Sequence, residues 1–168
     1  MVRHVVLVGL MGTGKTTVGC ALAEALGRPF SDSDTSIERE RGSTVQQLAD
    51  ELGVKEMHEL EARHLLQALE AAEPSVIAAA ASTIDDPACR AALVAPGVTT
   101  IWLKADPDVL ARRFDRERHR PRFGRAPGDL LAEQARERDA LFRSLHPVEL
   151  ETGGQGPSEV VEQALAAL

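Results

Sequence analysis

Cysteine is scarce. Cys20 and Cys89 are the only two in the chain. They form neither a C-x-x-C pair nor a spacing suited to a metal, which excludes a disulfide framework and a thiolate metal site. Cys20, on the first expected helix, reads as a small packing residue. A surplus of positive charge is also missing, since 19 Lys and Arg against 26 Asp and Glu leave a net charge of −7. No overall positive field is present to attract a phosphate backbone, so a nucleic-acid partner is not expected. No apolar run is long enough to span a membrane. The N-terminus carries no secretory signal pattern, and repeats, linkers and low-complexity tails are absent. These absences lead to a cytoplasmic, reducing location and a monomer as expectations. What remains is 168 residues, 43% hydrophobic and 27% charged, a composition suited to one globular domain over 1–168.

Within that frame one stretch dominates. Gly9-Leu10-Met11-Gly12-Thr13-Gly14-Lys15-Thr16 fits G-x-x-x-x-G-K-[ST], in which small glycines let consecutive backbone N–H groups turn inward around a polyphosphate. Its context supports it. Val5-Val6-Leu7-Val8 upstream has the profile of a buried parallel strand, and Val18, Leu22, Ala25 and Leu26 downstream recur at helical spacing before Gly27 and Pro29. Strand, glycine turn and helix start together favour an anion. Met11, Gly12, Thr13, Gly14, Lys15, Thr16 and Thr17 are therefore the nucleotide contacts, with Lys15 the charge for the outer phosphates and Thr16 a magnesium ligand.

The rest of the chain alternates. Strands are expected at 28–32, 75–81, 98–103 and 147–151, that at 75–81 favoured over a helix because Pro74 precedes it and Val76-Ile77 begins it. Helices are expected at 35–41, 45–52 with Ser43 or Thr44 as cap, 54–72, 87–93, 106–118, 129–145 and 157–168. Residues 119–128 interrupt this pattern with Pro, Gly and Arg. Alternating strands and helices imply an α/β, three-layer fold, a parallel sheet with helices on both faces.

In such a sheet ligands gather beyond the carboxyl ends of the strands, which is where Asp32 and Asp34 fall. Phosphoryl transfer needs a held metal and a residue to orient or deprotonate the attacking hydroxyl. Two carboxylates two apart on an extended segment divide those tasks, Asp32 toward magnesium and Asp34 toward the acceptor. The plainer alternative makes Asp34 a helix cap. Seven arginines lie between Arg112 and Arg125. Arg116 and Arg118 read as a solvated helix face, whereas Arg120, beside Pro121, is placed to stabilise transferring charge from a closing segment.

With Gly12-Thr13-Gly14-Lys15-Thr16, Asp32-Ser33-Asp34, Arg120-Pro121 and Arg138 in Arg136-Glu137-Arg138-Asp139-Ala140-Leu141-Phe142, the whole chain resembles shikimate kinases, within the nucleoside-monophosphate-kinase-like P-loop group. The resemblance implies a P-loop NTPase fold with a five-stranded parallel sheet, an acceptor-binding segment at about 33–62 and an arginine-bearing lid at about 116–128. It implies ATP and Mg2+ as cofactors, ADP as product and a small hydroxylated molecule as acceptor. Lys15 and Arg120 would contact the transferring group, Thr16 and Asp32 the magnesium, and Arg113 the adenine. Asp34 would bind the acceptor's hydroxyls and Arg138 its carboxylate. Two departures fall on the acceptor side. Ala79-Ala80-Ala81-Ser82 stands where the family has a glycine triplet, and methyl groups occupy space that glycine leaves open. His58, three residues before Glu61, stands where the family clamps the carboxylate with arginine, and imidazole offers no bidentate fork. Alternatives are a paralogue acting on another polyol or sugar acid, in the manner of gluconate kinases, and a nucleotide-binding regulatory protein without transfer activity.

Overall fold

The computed structural model describes residues 4–114 and 126–168. β1 (His4–Val8) is the middle strand of a five-stranded parallel sheet ordered β2–β3–β1–β4–β5, with β2 at Phe30–Asp32, β3 at Ser75–Ala78, β4 at Val98–Lys104 and β5 at Val148–Glu151. Every residue of β1 is buried, as a strand covered on both faces requires. The two-residue alternation of strand side chains sorts the core into two layers. Val6, Val8, Ile77 and Trp102 face one way, toward Leu65 of α4 (Val54–Leu69), Leu93 of α5 (Pro87–Leu93), Leu110 of α6 (Pro107–Phe114) and Phe142 of α7 (Pro127–Ser144). Val5, Leu7, Val76 and Ile101 face the other, toward Val18 and Leu22 of α1 (Lys15–Leu26) and Val160 and Ala164 of α8 (Pro157–Ala166). A third cluster, Ile37, Val45, Leu48, Met57 and Leu60, ties α2 (Ser33–Arg41) and α3 (Val45–Leu52) to the start of α4.

Helix starts follow local chemistry. Thr44 and Gln47 form a reciprocal capping box at α3, the Thr44 hydroxyl accepting from Gln47 N–H and the Gln47 side chain from Thr44 N–H. Asp86 accepts from Cys89 N–H at 2.9 Å and Pro87 occupies the first turn of α5.

Four expectations need correction. β3 stops at Ala78 rather than 81, level with Asp32, the last residue of its neighbour β2. Residues Ala81–Asp85 then form a 3-10 turn, fixed by Thr83, whose N–H and hydroxyl both reach the Ala80 carbonyl. Asp34 does not lie on extended chain: α2 begins at Ser33, and Asp32, not Asp34, caps it by accepting from Thr35 N–H at 3.0 Å. Cys20 is exposed, since the buried face of α1 is Val18, Gly19, Leu22 and Ala23. Helix ends also shift, α4 closing at Leu69 and α7 opening at Pro127, so that 126–128 of the expected lid are the cap and first turn of α7. Arg116, Arg118, Arg120 and Pro121 lie outside the described residues.

Candidate active site

The loop after β1 is shaped by glycine where nothing else fits. Gly9 has φ +144°, and a Cβ there would meet the Leu103 carbonyl oxygen at 2.4 Å. Gly14, at φ 94°, is the residue from which α1 starts, its carbonyl accepting from Val18 N–H at 2.9 Å. These turns aim the first N–H groups of α1 into one concavity, an anion site made of main chain. Lys15 Nζ donates to the carbonyls of Gly9 (2.8 Å) and Leu10 (3.0 Å), which keeps the ammonium at the loop.

That loop forms one wall of a cleft of about 540 Å³. Met11 to Val18, Asp32, Asp34 and Ala78 to Ala81 line it, and Arg113, Thr152 and Gln155 close its other end. Thr16 Oγ1 donates to Asp32 Oδ2 at 2.6 Å, while Asp32 Oδ1 serves as the α2 cap. A hydroxyl and a carboxylate side by side at a phosphate loop are the hard oxygen donors that magnesium prefers. Among the described residues no group of three or more His, Cys, Asp or Glu gathers into a metal cage. The Thr16–Asp32 pair therefore suits a cation that draws its remaining ligands from phosphate and water.

Arg113 is fastened rather than loose. Its guanidinium donates to the Gly12 carbonyl at 3.0 Å and to the Thr152 hydroxyl and carbonyl at 3.2 and 2.6 Å. Thr152 is a site residue that sequence reasoning missed. It is 39 positions from Arg113, and no local pattern connects them.

A second cluster stands on α4, α7 and the 3-10 turn. His58 and Glu61 project from α4, one turn apart, and Arg138 from α7. Ser82 donates its hydroxyl to Glu61, and Arg138 binds Asp85 through Nε and Nη2. Burial pushes the Glu61 carboxyl up to about 7, a rise held back by the Ser82 hydrogen bond, helped by nearby Asp34 and opposed by Arg138 and Lys15. Burial, and then Arg138, hold His58 below the ordinary imidazole range, with Asp85 acting weakly the other way. The ring is thus neutral at pH 7. A charge on His58 able to hold an anion is therefore lost at a lower pH than for an ordinary imidazole. Glu61 interacts electrostatically with Asp34, Arg138 and Lys15, which brings this cluster near the catalytic candidates; Lys15 and Asp34 line the cleft, whereas His58, Glu61 and Arg138 are not among its lining residues. Glu61, Ser82 and Asp85 were not picked out as site residues. Glu61 carried a signal, standing three positions after His58, whereas Asp85 was hidden beside the obvious cap Asp86.

Comparison with known proteins decides among P-loop kinases. Residues 11–168 match the family profile described as shikimate kinase. The chain belongs to the shikimate kinase family. It is accordingly an ATP-dependent phosphotransferase with an alcohol group as acceptor. A shikimate kinase of Zymomonas mobilis subsp. mobilis is 36% identical over 99% of this chain and 93% of its own length. The shikimate kinase from Acinetobacter baumannii, solved in complex with shikimate, superposes with a TM-score of 0.92 at 28% identity, covering 99% of this chain and 93% of that one. A gluconokinase from Sinorhizobium meliloti is more distant, with a TM-score of 0.63 and 25% identity over 97% of this chain and 89% of that one. Among the described residues no helix is long and apolar enough to cross a membrane.

Proposed function

We propose that this chain, acting as one cytoplasmic, monomeric domain, transfers the γ-phosphoryl group of ATP to a hydroxyl of shikimate. One observation carries the reading: Asp34 lies across the same cleft as Lys15 and the Thr16–Asp32 pair. Main-chain amides of the loop cradle the β and γ phosphates, and Lys15 offsets the charge that builds on them during transfer. Thr16 and Asp32 would hold Mg2+, which when bound would neutralise charge on the phosphates. Asp34, at the start of α2, orients the acceptor hydroxyl and takes its proton. Arg113, tied to Gly12 and Thr152, braces the nucleotide end. Arg120 completes the arrangement from the segment outside the described residues. His58 and Arg138 face the acceptor from α4 and α7.

ADP release measured with shikimate, quinate, gluconate and aminocyclitols tests this directly. Saturable turnover of shikimate is the expected result. Silence with shikimate and turnover of another polyol would move the acceptor, and tight ATP binding with no transfer to any acceptor would leave a regulatory nucleotide-binding protein.

A further inference from the structure

Arg138 is 6% exposed, and a guanidinium so deeply buried requires a counter-charge. The chain provides one itself. Asp85 ends the 3-10 turn that follows the alanine run lining the cleft. Arg138 Nε donates to both Asp85 oxygens at 3.1 Å, and Nη2 donates to Oδ2 at 2.6 Å. This is the planar two-pronged grip that arginine gives any carboxylate, a substrate's included. The pair is lopsided in exposure: the arginine side chain is 8% exposed and the aspartate side chain 42%. The carboxylate is therefore the partner that solvent, and any ligand, reaches more readily.

The neighbours do not compensate. His58 offers no fork, and Glu61, the other group of α4 that interacts with Arg138, carries acid rather than base. Arg138 and Asp85 cancel in charge. Among the described residues of this cluster, His58, Glu61, Asp85 and Arg138, no spare cation is left for an anionic acceptor.

Building on the kinase reading above, we infer that Asp85 is an internal stand-in for an acceptor carboxylate and a specificity-determining residue. A carboxylated acceptor gains the Nε–Nη2 edge of Arg138 only by displacing Asp85, whereas a neutral one need not. The acid's apparent affinity then falls by the fraction of molecules in which that guanidinium edge is free. Asp85 touches no reacting atom, so its effect belongs in KM and not in kcat.

The test compares two acceptor pairs that differ in the carboxylate, shikimate against its methyl ester and gluconate against glucitol. KM and kcat are measured at saturating ATP and magnesium for the full chain and for Asp85→Asn. The substitution is expected to lower KM for the acids roughly tenfold, the worth of a charge-assisted hydrogen bond. Neither kcat nor the KM of the neutral partners should gain. An acid KM that stays unchanged or rises in a folded Asp85→Asn protein would overturn the inference. Should Asp85→Asn fail to fold, the wild-type chain decides: little preference for acid over neutral partner supports the idea, and a preference beyond about tenfold refutes it. If shikimate is silent in both proteins while the gluconate pair responds, the acceptor assignment fails and the role of Asp85 is still read. If all four compounds are silent in both proteins while ATP binds, both proposals fall.

Discussion

The two ends of the cleft are built from different materials. At the nucleotide end the recognition elements are main-chain amides set by glycine torsions, and side chains serve mainly as braces, as Arg113 does for Gly12 and Thr152. On the proposed acceptor side alanine methyls line the cleft, and the neighbouring polar groups are paired side chains: Ser82 with Glu61, and Asp85 with Arg138. An amide cradle tolerates little change, because phosphate geometry is the same for every kinase of this kind. A side-chain site can be retuned one residue at a time, which lets a family keep its donor and vary its acceptor.

The contrast can be broken first at the cradle. Lys15→Ala should lower kcat by about a hundredfold to a thousandfold, the usual cost of removing a group aimed at transition-state charge. Its circular dichroism should match that of the parent, and a kcat within tenfold of wild type would remove Lys15 from the chemistry. Asp34→Asn comes next, with a fall of about a hundredfold in kcat, the lower range for a lost general base. ADP affinity, measured calorimetrically, should not move, because the role proposed for Asp34 is toward the acceptor.

Glu61→Gln sharpens the acceptor side through stability. The native carboxyl is pushed from 4.5 to about 7, so the folded state holds the proton over a window in which the unfolded chain has released it. Stability from this group is complete below pH 4.5 and is lost as pH climbs through 7. At about 1.4 kcal/mol per pKa unit the loss is on the order of 3 kcal/mol. Urea melts between pH 4.5 and 8 should show that decline in the parent and a flatter profile for Glu61→Gln. Parallel profiles would contradict the buried, protonated glutamate. The smallest effect is expected from His58→Arg. Replacing a neutral imidazole by a permanent fork should lower KM for a carboxylated acceptor by up to about tenfold, with kcat little changed. An unaltered KM would place His58 outside the acceptor site.

How far the sequence could be read depended on the range of each interaction. The loop, its strand and its helix were legible because all three are contiguous and glycine at those positions answers a local steric demand. The sheet followed from alternation alone. The alanine run was harder to read: alanine carries no strong torsional preference for a strand, and the strands that β3 pairs with lie far from it in sequence. Asp32 was read as a ligand and is also a cap, two uses that one carboxylate serves with its two oxygens.

By itself, then, the sequence determined the phosphate loop and the class of fold, since contiguous residues and simple periodicities carry both. Only the tertiary structure decided the acceptor end. The Asp85–Arg138 pair spans 53 positions and the Ser82–Glu61 pair 21. Charge cancels, and protons shift, only once folding brings such groups into one poorly solvated space.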